Sequence, residues 1–160
     1  MTTPTPPNPS QNTGIGPSKT WTCTLHARGY ELDGFGHVNH AVYISYLEHA
    51  RWELLKEEGV TLKHFQTWKK WPVIAALEAR YLKPVFLDDP LTIHTRLTGW
   101  TRSKFTFEQE IRRSSDKVFT ARVHAVMVNE EGRPTAIPDE LTQGWIALGG
   151  ATGTPEGGQP

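Results

Sequence analysis

The sequence predicts an α+β fold, with one long helix laid against an antiparallel sheet of about five strands. Two observations carry this. In one segment Tyr43, Tyr46, Leu47, Ala50, Leu54 and Leu55 recur at three- and four-residue steps, which puts them on one face of a helix. Elsewhere apolar residues fall at every second position, as in half-buried strands. Short turns join most of those segments, and strands so joined pair antiparallel.

Trp21, Cys23, Leu25 and Ala27 define the first strand, within residues 20 to 29. The helix starts near Asn39 or His40, and Gly59 ends it, in the position a helix C-cap favours. The stretch TLKHFQTW suits a short helix or turn. The next strand begins at Val73, with Val73, Ala75, Leu77, Ala79 and Tyr81 on one face and Glu78 and Arg80 on the other, and Pro84 stops it. Three more strands follow. Leu91, Ile93 and Leu97 mark the first, Phe105, Phe107 and Ile111 the second, and Phe119, Ala121, Val123, Ala125 and Met127 the third. TGWTRS and RSSDK suit hairpin turns, and EEGRP suits a turn that closes the last strand. Residues 1 to 18 and the Gly-rich residues 148 to 160 hold little apolar mass and are expected to be disordered, which leaves residues 19 to 147 as the folded domain. One helix leaves the sheet's edge strands open, so a second copy is expected to pair with one of them.

Composition narrows the function. Lysine plus arginine number 17 and aspartate plus glutamate 17, so the chain lacks the basic excess on which nucleic-acid binding rests. Cys23 is the only cysteine, which excludes an intramolecular disulfide and a Cys-rich zinc site and fits a reducing compartment. No apolar run approaches the roughly 20 residues of a membrane span. The first residues lack the apolar core of a signal peptide, and the expected location is the cytoplasm.

The stretch LDGFGHVNHAVYISYLEHAR, residues 32 to 51, concentrates the chemistry. Asp33 stands between the first strand and the helix, and Gly34 and Gly36 free the backbone around it. The first amides of the helix have no partner within it, which makes them donors for an anion or a developing oxyanion. An acid beside free amides suits acyl transfer: the acid, or a water it activates, attacks a carbonyl while the amides hold the negative oxygen. The plainer alternatives are that Asp33 is a turn residue and Asn39 a helix N-cap. His37 and His40 are three apart, a weak metal signal, and no HExxH, GxSxG or Gly-rich phosphate loop is present.

The series Asp33, Gly36, His37, Val38, Asn39, Tyr43, Tyr46, Glu48, Ala50 and Arg51 resembles the signature of acyl-CoA thioesterases of the 4-hydroxybenzoyl-CoA thioesterase type. EARYLKPVFLDDPLTIHTRL and WTRSKFTFEQEI resemble later strands of the same family, so the likeness covers about residues 20 to 145. It implies a hotdog fold, a curved antiparallel sheet wrapped around one long helix, with two protomers joined edge to edge. It also implies an acyl-CoA substrate; no cofactor and no metal are expected. The assembly implied is a homodimer, or a tetramer of two dimers. By position, Asp33 matches the catalytic carboxylate, as general base or nucleophile. His40 matches a histidine that in some members orients substrate or water, and the amide near His40 or Ala41 would polarise the thioester carbonyl. Val38 and the strand faces would line an acyl channel, with Asn39 and Tyr43 among the substrate contacts, although Tyr43 and Tyr46 are expected first to pack helix on sheet. Glu48 and Arg51 read as an ion pair of the helix surface or an interface. CoA carries phosphates, and Arg102, Ser103 and Lys104 at a strand start are the candidate contacts. Phe65, Trp68 and Trp71 either shape the acyl pocket or cap the core. Two alternatives remain, an acyl-carrier-protein thioesterase and an acyl-CoA-binding module without turnover.

Overall fold

The computed structural model describes residues 19 to 147; the tails expected to be disordered lie outside the described residues. The chain forms β1 (Thr20–His26), a 3-10 turn at Gly29–Glu31, α1 (His40–Glu57), α2 (Leu62–Trp68), β2 (Lys70–Tyr81), β3 (Pro90–Trp100), β4 (Lys104–Arg113), β5 (Asp116–Asn129) and α3 (Asp139–Ala147). The five strands make one antiparallel sheet in the order β1-β3-β4-β5-β2. This is the hotdog arrangement.

The helix begins and ends where its caps require. Asn39 is the N-cap and its side chain accepts from the Ala41 amide, while Gly59 takes a φ of 73° just past the C-cap, a conformation only glycine adopts freely. The face toward the sheet carries Tyr43, Tyr46, Leu47, Ala50 and Leu54, all buried. Gln109 of β4 ties helix to sheet inside the core: its Nε2 donates to the Leu47 carbonyl at 3.1 Å and to Thr95 Oγ1 at 2.9 Å. A buried amide so paired costs little and fixes the helix height over the sheet.

The alternating faces of β3, β4 and β5 are buried as expected, from Leu91 through Met127. Strand β2 differs from its sequence reading in two ways. It does not pair with β3, its successor in the chain, but crosses the sheet to lie beyond β5 as an edge. A bulge between Ile74 and Ala76 also changes its phase. Cross-strand partners share a face, so Pro72 and Ile74, opposite Met127 and Ala125, point inward before the bulge, and Leu77, Ala79 and Tyr81 after it. Val73 and Ala75, expected on the inner face, are exposed instead. The 3-10 turn at Gly29–Glu31 and α3 carried no sequence expectation; Leu141 and Trp145 of α3 are buried against the end of the sheet.

Candidate active site

Residues 27 to 39 run from β1 to α1 as a loop held at several points. The Val38 amide donates to the Val85 carbonyl at 2.8 Å and the Asn39 amide to the Glu31 carbonyl at 2.9 Å. Within the loop, Leu32 and Val38 form an isolated antiparallel bridge, and the Asp33 amide donates to the His37 carbonyl at 2.7 Å. The chain therefore doubles back, and Asp33 lies beside residues 37 to 39 and the start of α1. Gly36, at φ 78°, makes the reversal possible.

Asp33 is both the turn residue and the acid at the helix start. Its Oδ1 accepts from the Phe35 amide at 2.8 Å and from the His37 amide at 3.3 Å. No donor among the described residues reaches Oδ2. One carboxylate oxygen thus fixes the group, and the other is left for water or substrate.

The two candidate oxyanion donors differ. The Ala41 amide donates to Asn39 Oδ1 at 3.0 Å and is engaged by the cap. The His40 amide has no acceptor among the described residues, while the His40 carbonyl accepts from the Tyr81 hydroxyl at 2.9 Å. That bond anchors the first turn of the helix to the edge strand.

The other expected site residues separate. Val38 is buried in the core, so in one protomer it anchors the loop rather than facing an open channel. Tyr43 packs against Phe119 and Tyr81, with ring centroids 5.0 and 5.2 Å away, and burial raises its pKa from the ordinary 10.0. Glu48 and Arg51 are not paired within 4.0 Å; Arg51 Nη1 donates to Gln109 Oε1 at 2.8 Å instead. Arg102 and Ser103 lie in the β3–β4 turn, and Lys104 opens β4. Strand β3 starts at the Asp33 end of the sheet, and its 11 residues carry the chain away from it. At about 3.3 Å per residue the turn lies roughly 30 Å from Asp33, so one protomer does not bring these groups together.

Sequence reasoning passed over Glu31. It is 9% exposed, and its carboxylate accepts from the Tyr46 hydroxyl at 2.5 Å, the Arg28 amide at 2.8 Å and Arg28 Nη1 at 3.0 Å. Through its carbonyl it also receives the Asn39 amide, so one residue joins the loop, the helix face and the N-cap. The signal was Tyr46 itself, since a phenol on a buried stripe needs a hydrogen-bond partner.

A family model described as the thioesterase-like superfamily matches residues 28 to 145, from the start of this loop to α3. The chain belongs to the thioesterase-like superfamily. It is 28% identical over 135 residues to the acyl-acyl carrier protein thioesterase ATL3 of Arabidopsis thaliana, covering 83% of this chain and 71% of that protein. It is 31% identical over 102 residues to the long-chain acyl-CoA thioesterase FadM of Escherichia coli, covering 60% and 76%. The solved structure of a probable thioesterase from Bartonella henselae superposes with a TM-score of 0.72 at 27% identity, covering 75% of this chain and 100% of that one. In this thioesterase-like chain the matched span includes the Asp33 loop, α1 and the whole sheet.

Proposed function

We propose that the protein hydrolyses an acyl-CoA thioester to a free carboxylic acid and CoA, with Asp33 as general base or nucleophile and the His40 amide as oxyanion donor. The observation that carries this reading is a carboxylate held by backbone amides through one oxygen, beside an unengaged amide at the start of an 18-residue helix. The positive end of the helix dipole favours negative charge at that point. In the base route a water passes a proton to Asp33 as its oxygen attacks the thioester carbon. The carbonyl oxygen becomes an oxyanion that accepts from His40. Collapse breaks the C–S bond, and the thiolate leaves and takes the proton. In the nucleophile route Asp33 attacks directly, the thiolate leaves, and water then hydrolyses the mixed anhydride. The neighbouring His40 side chain, exposed at the helix start, is the group available to orient water or substrate in either route.

The working unit is a dimer through β2. That edge presents Val73 and Ile74, 42% and 50% exposed, with unpaired backbone beside them. A two-fold pair of edge strands that keeps both helices on one face runs antiparallel. The Asp33 end of one copy then lies beside the Arg102–Lys104 end of the other. Cations that stand far from Asp33 within a chain become available, across the dimer, to the phosphates of CoA. The likeness to ATL3 supports a second reading, in which the thioester is carried by an acyl carrier protein.

The test is thiol release from a panel running from butyryl- to palmitoyl-CoA, with aromatic acyl-CoAs and acyl carrier protein thioesters alongside. Turnover of CoA esters well above the uncatalysed rate is expected. Turnover of carrier-protein thioesters alone would transfer the site to the second reading, and turnover of neither would end both.

A further inference from the structure

Asp33 and the His40 amide are both braced from the sheet side by one short stretch of chain. Just past β2, the Leu82 and Lys83 amides donate to the Val118 carbonyl at 2.9 and 3.2 Å, so the strand end is held on β5. Further on, the Val85 carbonyl accepts from the Val38 amide at 2.8 Å, and Phe86 lies edge-on to His37 with ring centroids 5.1 Å apart. Those contacts hold the Asp33 loop. Tyr81, the last residue of β2, reaches the helix start, where its hydroxyl donates to the His40 carbonyl at 2.9 Å. The Tyr81 ring is held by Tyr43 and Phe119, both buried, with centroids 5.2 and 4.9 Å away.

The Tyr81 bond falls on a peptide that is clamped at both ends. Between His40 and Ala41, the carbonyl oxygen takes the Tyr81 hydroxyl and the amide donates to Asn39 Oδ1 at 3.0 Å. The preceding peptide bears the unengaged His40 amide, and it is held through the Asn39 carbonyl, which accepts from the Val42 amide at 3.0 Å. The His40 α-carbon thus stands between two fixed peptide planes, and those planes set the direction of its amide. Helix ends without such ties fray, and a donor in a fraying turn points elsewhere part of the time. The hydroxyl matters little to the fold by comparison. Tyr81 is 49% exposed, so water can replace its hydroxyl at the His40 carbonyl, and the ring packing does not depend on it. Water would satisfy that carbonyl without fixing its direction.

We propose that Tyr81 is a positioning residue for the reaction: by holding the His40 carbonyl, its hydroxyl aims the His40 amide at the oxygen that becomes the oxyanion. The proposal rests on the thioesterase reading and adds to that site a residue from the edge strand. No bond to Tyr81 forms or breaks in either route, and its proton stays in place. Its effect falls on kcat, because a pre-aimed donor is worth most when charge develops on the carbonyl oxygen. Removing an oxyanion donor outright costs about 10²- to 10³-fold. Loosening a donor that remains should cost less, about 10- to 100-fold.

The experiment measures kcat and KM on the best acyl-CoA for the full chain, for Tyr81→Phe, and for variants carrying para-aminophenylalanine or para-methoxyphenylalanine at position 81. Tyr81→Phe should lose about 10- to 100-fold in kcat, with KM within about twofold and with Tm and mass close to those of the unaltered protein. The amino side chain keeps a donor and should restore most of kcat, whereas the methoxy side chain, of similar size without a donor, should fall with Tyr81→Phe. That pair carries the test if Tyr81→Phe does not fold. The second readout is the infrared carbonyl stretch of acyl-CoA, isotope-labelled at the carbonyl carbon and bound to Asp33→Asn, where turnover is slow. The His40 amide should lower the stretch below its value in solution, and adding Tyr81→Phe should move it back toward that value. A kcat unchanged in folded variants overturns the positioning role and leaves the thioesterase reading standing. So does a KM that rises with kcat intact, an amino variant as impaired as the methoxy one, or a stretch that stays fixed while kcat falls. A stretch in Asp33→Asn no lower than in solution removes the His40 amide as donor, and this proposal with it. Failure of the unaltered protein to hydrolyse any acyl-CoA overturns the thioesterase reading itself, and the role of Tyr81 falls too.

Discussion

Replacing Asp33 by asparagine separates its two roles. The turn uses one oxygen, which accepts from the Phe35 and His37 amides at 2.8 and 3.3 Å. An asparagine carbonyl oxygen can accept the same two bonds, and asparagine suits such turns. Only the charge assistance is lost, at a partly exposed site, so the stability change should stay within about 1 kcal/mol. For a chain of this size that is a Tm shift of about 4 °C or less. The chemistry should respond far more. An amide neither takes up a proton nor attacks at neutral pH, and loss of a general base costs about 10²- to 10⁴-fold, equivalent to roughly 3 to 5 kcal/mol of barrier. The assay pairs thiol release on the best acyl-CoA with a thermal melt and a light-scattering mass. A loss of kcat of about 100-fold or more with fold and mass intact is the expected result. Asp33→Ala, which removes both accepted bonds, should add about 1 to 2 kcal/mol of destabilisation that Asp33→Asn does not show. Activity within a few-fold of the unaltered enzyme in folded Asp33→Asn would refute the mechanism and leave the loop with a structural explanation only.

Tyr46→Phe should destabilise the protein by about 1.5 to 3 kcal/mol in urea melts, because it removes one of three donors from the buried Glu31 carboxylate; a change under about 0.5 kcal/mol would show that the pair contributes little. Burial, with the bond to Glu31, holds the Tyr46 pKa far above its ordinary 10.0, and burial raises Tyr43 as well. The folded state therefore keeps protons that the unfolded chain releases near pH 10. This contribution is fully present below pH 10 and is lost as pH rises further, by up to about 1.4 kcal/mol per unit for each tyrosine. Melts from pH 8 to 11 should show the decline, and a shallower one in Tyr46→Phe. Light scattering at micromolar concentration should give at least twice the 18.0 kDa of one chain, and a monodisperse monomer would remove the β2 dimer. Arg102→Ala and Lys104→Ala should raise KM for acyl-CoA with kcat nearly unchanged, and added salt should mimic them; an unaltered KM in both would detach that turn from substrate.

Much of this protein is written in local pattern. The stripe from Tyr43 to Leu54 and the alternation through β3, β4 and β5 predicted those elements and their buried faces, because periodicity depends only on neighbours along the chain. Asn39 and Gly59 marked the helix ends for the same reason, since caps satisfy the terminal amides and carbonyls locally. Asp33 was legible as an acid set before free helix amides. Tertiary structure decided what depends on distant partners. The bulge after Ile74 turned Val73 outward, and the crossing of β2 to the far side of β5 made it an edge, both set by pairing between strands far apart in sequence. Which helix-start amide is left free depended on how the Asn39 side chain folded back onto Ala41, a choice that spacing does not reveal. Glu31 became the partner of Tyr46 only once the loop lay against the helix face, where a phenol taken from water had to find an acceptor. Likewise Arg102 and Lys104, which the sequence offers as part of one site, stand at the far end of the sheet from Asp33, because a strand of 11 residues carries its two ends apart by its own length.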